Sequence, residues 1–114
     1  MKEKPLPRRL QARLDRCKQE LSQIQIGLLG SITERFMPCG KPGCRCQADP
    51  PQLHGPYYQW TAKIDRKTKT LRLKPEEIDD FRALIAEGRR LEECIQKWRK
   101  LSLEAAEWLL RERR

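Results

Sequence analysis

Apolar side chains recur every three or four residues at the start of the chain. Leu10, Leu14, Cys17, Leu21, Ile24 and Leu28 step by 4, 3, 4, 3 and 4. That heptad spacing predicts a helix over 7–26, with Pro7 suited to a first turn and Gly27 and Gly30 ending it. The period then changes to two. "GSITERFMPC" alternates Ile32, Glu34 and Phe36 against Thr33, Arg35 and Met37, which predicts a strand. "YYQWTAKID" sets Tyr58, Trp60, Ala62 and Ile64 on one face and Tyr57, Gln59, Thr61 and Lys63 on the other. "TKTLRLK" places Leu71 and Leu73 opposite Thr70, Arg72 and Lys74, and the polar link "DRKT" makes the two runs a hairpin. From Pro75 the helical period returns. Four acidic groups in "KPEEIDDF" suit a helix N-terminus, and Phe81, Leu84, Gly88, Leu91, Ile95, Trp98, Ser102, Ala105 and Leu109 hold a 3,4 spacing.

The pattern therefore predicts an α+β fold in a single domain over 1–114. It has an N-terminal helix (7–26), a zinc-ribbon-like β element (30–74) and a helical tail (75–112). The β element is a small three-stranded antiparallel sheet with a zinc-knuckle-like loop. The tail is one long helix or, broken at Gly88, a helix pair. It is expected to pack as an antiparallel coiled coil against the first helix, with a homodimer through the same seam as a further expectation.

Composition narrows the function classes. At 114 residues with 38% apolar content, the chain has a thin core for its length, so a metal, a partner or a second copy would help it fold. "MKEKPLPRRL" carries charge with no apolar run behind it, and no stretch approaches the length needed to span a bilayer. An intracellular, cytoplasmic protein without membrane contact is the expectation. Five cysteines, an odd number, argue against a disulfide framework there. Cys17 and Cys94 fall at apolar helix positions and read as small buried hydrophobes.

Charge is unevenly spread. The net +9 divides into +4 over 1–33, +6 over 34–74 and −1 over 75–114, so the basic excess lies on the N-terminal arm and around the remaining cysteines. Those cysteines form Cys39-x4-Cys44-x-Cys46-x7-His54, with Gly40, Pro42 and Gly43 allowing a tight turn and His54 returning after Pro50-Pro51. Thiolate and imidazole are the usual zinc donors, so Cys39, Cys44, Cys46 and His54 are the candidate ligands of one structural Zn2+ between two strands. The spacing is not a standard zinc-finger pattern. Free structural thiols, a redox pair, and His54 as an ordinary turn residue all remain open.

"ERFMPCGKPGCRC" followed by "HGPYYQWTAKID" resembles an uncharacterised family of short basic bacterial proteins. In these a CGKxxCxC cluster precedes HGPYY, a basic hairpin and a helical tail, over roughly residues 27–110 here. The resemblance implies a shared zinc-ribbon-like core with Cys39, Cys44, Cys46 and His54 at the matching positions. It also implies company with mobile genetic elements, and it carries no established activity.

Lys41, Arg45, Lys63, Arg66, Lys67, Lys69, Arg72 and Lys74 surround the cluster, with Tyr57, Tyr58 and Trp60 among them. Basic groups give phosphate affinity and aromatic rings can stack on bases, so these residues are candidate nucleic-acid contacts. Trp60 and Tyr58 share a face with Ile64, which favours a core role for both. The arm "KEKPLPRR" could add backbone contacts. The expected function is a small zinc-binding, nucleic-acid-binding accessory or regulatory protein, associated with a mobile element. The competing reading is a protein–protein adaptor using the helical seam, with zinc purely structural. One histidine, no phosphate-cradling loop and no paired carboxylates argue against an enzyme.

Overall fold

A computed structural model describes residues 5–113. Its elements are α1 (Arg8–Ser22), β1 (Ser31–Met37), β2 (His54–Ile64), β3 (Lys67–Leu73) and α2 (Ile78–Arg113), with short 3-10 turns at Arg45–Gln47 and Pro75–Glu77. The strands form one antiparallel sheet in the order β1-β2-β3. The chain gathers into two compact units. One comprises Leu28–Ile85, and the other the residues up to Gly27 together with those from Ala86 onward. The Lys2 and Lys4 of the basic arm lie outside the described residues.

In the first unit the sheet buries one face. Cross-strand partners share a side, so Trp60 stands with Ile32 on β1 and Leu71 on β3, and Tyr58 with Glu34 and Leu73. Trp60, Ala62, Leu73 and Ile85 form its core, with Leu28, Ile32, Tyr58 and Phe81 packed against it. Tyr58 and Trp60 thus take the core role that their alternation favoured. Gly30 leads into β1 at φ +104, a left-handed conformation open to glycine. A Cβ there would stand 2.5 Å from the Thr61 carbonyl oxygen and 2.7 Å from Trp60 Nε1. That close approach lets Trp60 Nε1 donate to the Leu29 carbonyl at 2.7 Å.

The hairpin link is tighter than "DRKT". Asp65 and Arg66 alone make the turn at φ 51 and 68, and β3 resumes at Lys67. Two consecutive left-handed residues match the twist of the flanking strands, so the ladder continues to the end of each. β2 begins at His54, three residues before the expected start at Tyr57.

In the second unit Leu10, Leu14, Cys17, Leu101 and Ala105 form the core, with Leu6 and Trp98 packed against it. The helices run antiparallel. Arg13 meets Glu104 at 3.1 Å, Cys94 donates to Glu20 at 3.3 Å, and Arg90 donates to Gln23 at 3.0 Å, so partners descend α2 as the chain ascends α1. Cys17 and Cys94 are buried, as expected for small hydrophobes at these positions.

The end of α1 differs from the sequence pattern, and of the two readings of the tail the single long helix holds. α1 ends at Ser22, where Gln23 and Ile24 donate to Glu20 and Leu21 in a tightened last turn. Leu28 instead gives its amide to the Leu84 carbonyl and joins the sheet core. α2 passes through Gly88 without a break. Its buried positions serve two cores, Ile85 that of the sheet unit and Leu101 and Ala105 that of the helix unit, so no single 3,4 line carries them.

Candidate metal centre

The candidate centre lies where β1 ends and β2 begins. Cys39 follows Met37 by two residues, and His54 is the first residue of β2, paired with Met37. Between Arg35–Tyr57 and Met37–His54 the register slips, leaving one extra residue on β2 at Gly55-Pro56. A one-residue slip in a strand moves every later side chain to the other face. The bulge thereby takes His54 out of the Tyr58 and Trp60 face and sets it opposite Met37.

The intervening loop closes on itself. Cys44 donates its amide to the Lys41 carbonyl at 3.4 Å, and Gln47 and Ala48 donate to Cys44 and Arg45 in the 3-10 turn that carries Cys46. Gly43 takes φ +78 within the turn, whereas a side chain at Gly40 would meet open space. Gln47 Nε2 donates to the Cys39 carbonyl at 3.0 Å, tying the two ends of the loop together.

The four ligand atoms of Cys39, Cys44, Cys46 and His54 lie within 4.8 Å of one another. Cys39 Sγ and Cys46 Sγ are 3.5 Å apart, and Cys44 Sγ stands 3.2 Å from His54 Nε2. Sulfurs bound at zinc–thiolate length to one tetrahedral ion sit roughly 3.8 Å apart, so the spacing suits a single ion. Cys46 is buried and the other three are half-buried. The backbone amide of Cys39 donates to Cys46 Sγ at 3.3 Å.

The two thiols next to each other differ in acidity. Cys44 is lowered to about 6, first by the Cys46 backbone amide, then by hydrogen bonds with the His54, Cys39 and Cys46 side chains. Cys39 is raised. The Lys41 amide lowers it, but hydrogen bonding with the Cys46 and Cys44 side chains, burial and the Cys44 charge together outweigh that. Three sulfurs sharing so small a volume cannot all ionise without a cation, which is the chemistry of a metal site.

The basic residues around the cluster divide. Lys41 and Arg45 are exposed on the loop itself, Arg66 is in the hairpin turn, and Lys74 follows β3. Lys67 and Lys69 pair with Ile64 and Ala62 and so lie toward the Trp60 side. Lys63 and Arg72 lie on the opposite side, where Arg72 stacks over the Tyr57 ring at 4.6 Å. Arg35, absent from the set read from the sequence, pairs with Tyr57 and joins that side. Its signal was present in the alternation of β1, where it follows Thr33 by two.

Together these features define a small α+β protein with a Cys3His candidate metal centre at one end of a three-stranded sheet. The chain belongs to the family described as a domain of unknown function, DUF6788, whose model matches residues 4–83. That span takes in α1, the whole sheet and the start of α2. Searches of curated proteins and of solved structures return no match. Among the described residues no helix is long and apolar enough to cross a membrane.

Proposed function

We propose that this chain is a zinc-binding, nucleic-acid-binding accessory or regulatory protein that serves a mobile genetic element. The observation that carries the reading is the clustering of three cysteines and one histidine inside the most basic segment of the chain. Thiolate and imidazole donors in a tetrahedral set select zinc over harder cations. With all four positions filled by protein, the ion is structural. It fixes Lys41 and Arg45 beside the sheet, and basic groups held in place lose less entropy on meeting phosphates than groups on a loose tail.

The adaptor reading is weakened by how the chain uses its own helices. Ala105 is buried and Trp98 packs against the α1–α2 core, so much of the seam an adaptor would offer is already covered. Leu103 and Leu110 remain exposed on α2. Salt separates the two readings, because phosphate binding weakens steeply as salt rises and apolar docking does not.

The test combines elemental analysis with fluorescence anisotropy on labelled oligonucleotides over a salt series. About one zinc per chain and affinity that falls with salt are expected. The charge control replaces Arg66, Lys67 and Lys69 in one variant and Arg89, Arg90 and Lys97 in another, all with Ala. Equal losses in both would mean that net charge alone is being measured at Arg66, Lys67 and Lys69 and would overturn a site on the Trp60 side of the hairpin.

A further inference from the structure

The sheet has a second face, and it is built differently from the first. Cross-strand pairing assembles it in rows: Arg35 beside Tyr57, Thr33–Gln59–Arg72, Ser31–Thr61–Thr70, and Lys63–Thr68. None of these residues belongs to either core cluster. The positions on β1 and β3 are exposed, and Tyr57, Gln59 and Thr61 are half-buried between them on the central strand. Every charged side chain in the rows is cationic. The single acidic residue of the three strands, Glu34, pairs with Tyr58 and lies on the core side.

We infer that this open face is a binding platform for single-stranded nucleic acid, an inference that rests on the nucleic-acid reading above and assigns it to one surface. Charge complementarity carries the argument, since Arg35, Lys63 and Arg72 present positive charge with no carboxylate among them. Phosphate attraction alone would not distinguish strands. Tyr57 does: with Arg72 it forms an aromatic–guanidinium pair at 4.6 Å, and unpaired bases stack on such groups while paired ones are not free to do so. Gln59 and the flanking threonines add hydrogen-bonding groups on the same face. Beside the pair lies a cleft of about 430 Å³, lined by Pro56, Tyr57, Arg72, Lys74 and Glu77 among others, large enough for a base. The Glu77 carboxylate there already accepts the Lys74 backbone amide at 2.8 Å and Glu77 caps the helical turn, so it is held at the rim.

This assignment differs from one based on charge alone. Lys67 and Lys69 are equally basic but project toward the Trp60 side, and Arg66 sits in the turn. The experiment measures anisotropy of a labelled 20-nucleotide oligo-dT strand and its duplex with oligo-dA on zinc-loaded full chain. Tyr57→Leu should weaken single-strand binding about tenfold with no change in the salt slope, because a ring and not a charge is lost. Arg35→Gln with Arg72→Gln should lower both affinity and slope, and Lys67→Gln with Lys69→Gln should lower affinity less. A strand carrying 5-iododeoxyuridine should photocrosslink to a peptide containing Tyr57, which needs no variant to fold. Binding that survives Tyr57→Leu, or crosslinks confined to the Trp60 side, overturns the platform while leaving a nucleic-acid binder. No salt-dependent binding to either probe overturns the broader reading as well.

Discussion

Gly30 and Trp60 act as one device. The left-handed glycine brings the chain into β1 close enough for the indole to reach the Leu29 carbonyl, and any Cβ there collides with backbone and ring. Gly30→Ala is expected to lower stability by about 2 kcal/mol, read as a drop in melting temperature. The cysteines predict a reactivity order in the metal-free chain. Cys44, lowered to about 6, is thiolate at pH 7 and loses that form as pH falls through 6. Cys94 is raised, first by burial and then by the hydrogen bond it gives Glu20, so it stays a thiol. Iodoacetamide at pH 7 should modify Cys44 first and Cys94 last, with the Cys44 rate falling below pH 6. Cys94 reacting first would contradict the packing of the helix pair. Such differences were not legible in the sequence, because all five residues are the same amino acid and only their neighbours differ.

At the scale of elements, the helix pair rests on a small set of apolar side chains. Leu14 and Leu101 are both buried in one cluster, while the Arg13–Glu104 pair beside them is half exposed and contributes little. Leu14→Ala and Leu101→Ala should each cost about 3 kcal/mol in denaturant unfolding. The double variant should cost less than the sum, since the two share a cavity. Strict additivity would show that they do not pack together. Leu14 was visible as a periodic residue, but Leu101 fell outside the 3,4 line drawn through Trp98 and Ala105. A wide buried stripe on a straight helix admits several such lines, and only the packing of α1 selects one.

At the scale of the molecule, the two cores share no residue, and the candidate metal centre belongs to the sheet unit alone. Metal would pin the end of β1 to the start of β2, so its removal should act locally. Chelation under reducing conditions is expected to raise amide exchange across 31–64 while 8–22 and 94–113 keep their protection, read by hydrogen exchange with mass spectrometry. Cys44→Ser should reproduce that pattern and lose the metal. Uniform protection in the chelated protein would mean that the cluster holds no metal of structural consequence.

The order of elements was legible in the chain because hydrophobic period is a local property. Period 3.5 around Leu14, period two around Trp60 and period 3.5 again after Phe81 fix helix, sheet and helix without any knowledge of what packs on what. The candidate ligands were legible too, since Cys39, Cys44, Cys46 and His54 are close in sequence and chemically distinctive. What pairing alone decided was the use of the sheet's two faces. Alternation along single strands already set Lys63 with Tyr57 and Arg72 opposite Leu71 and Leu73. Register and the Asp65–Arg66 turn decide how those faces combine, sending Lys67 and Lys69 toward Trp60 and joining Arg35, Lys63 and Arg72 on the side of Tyr57. A two-residue hairpin and a one-residue bulge set that sorting, and a shift of one residue in either would exchange the faces.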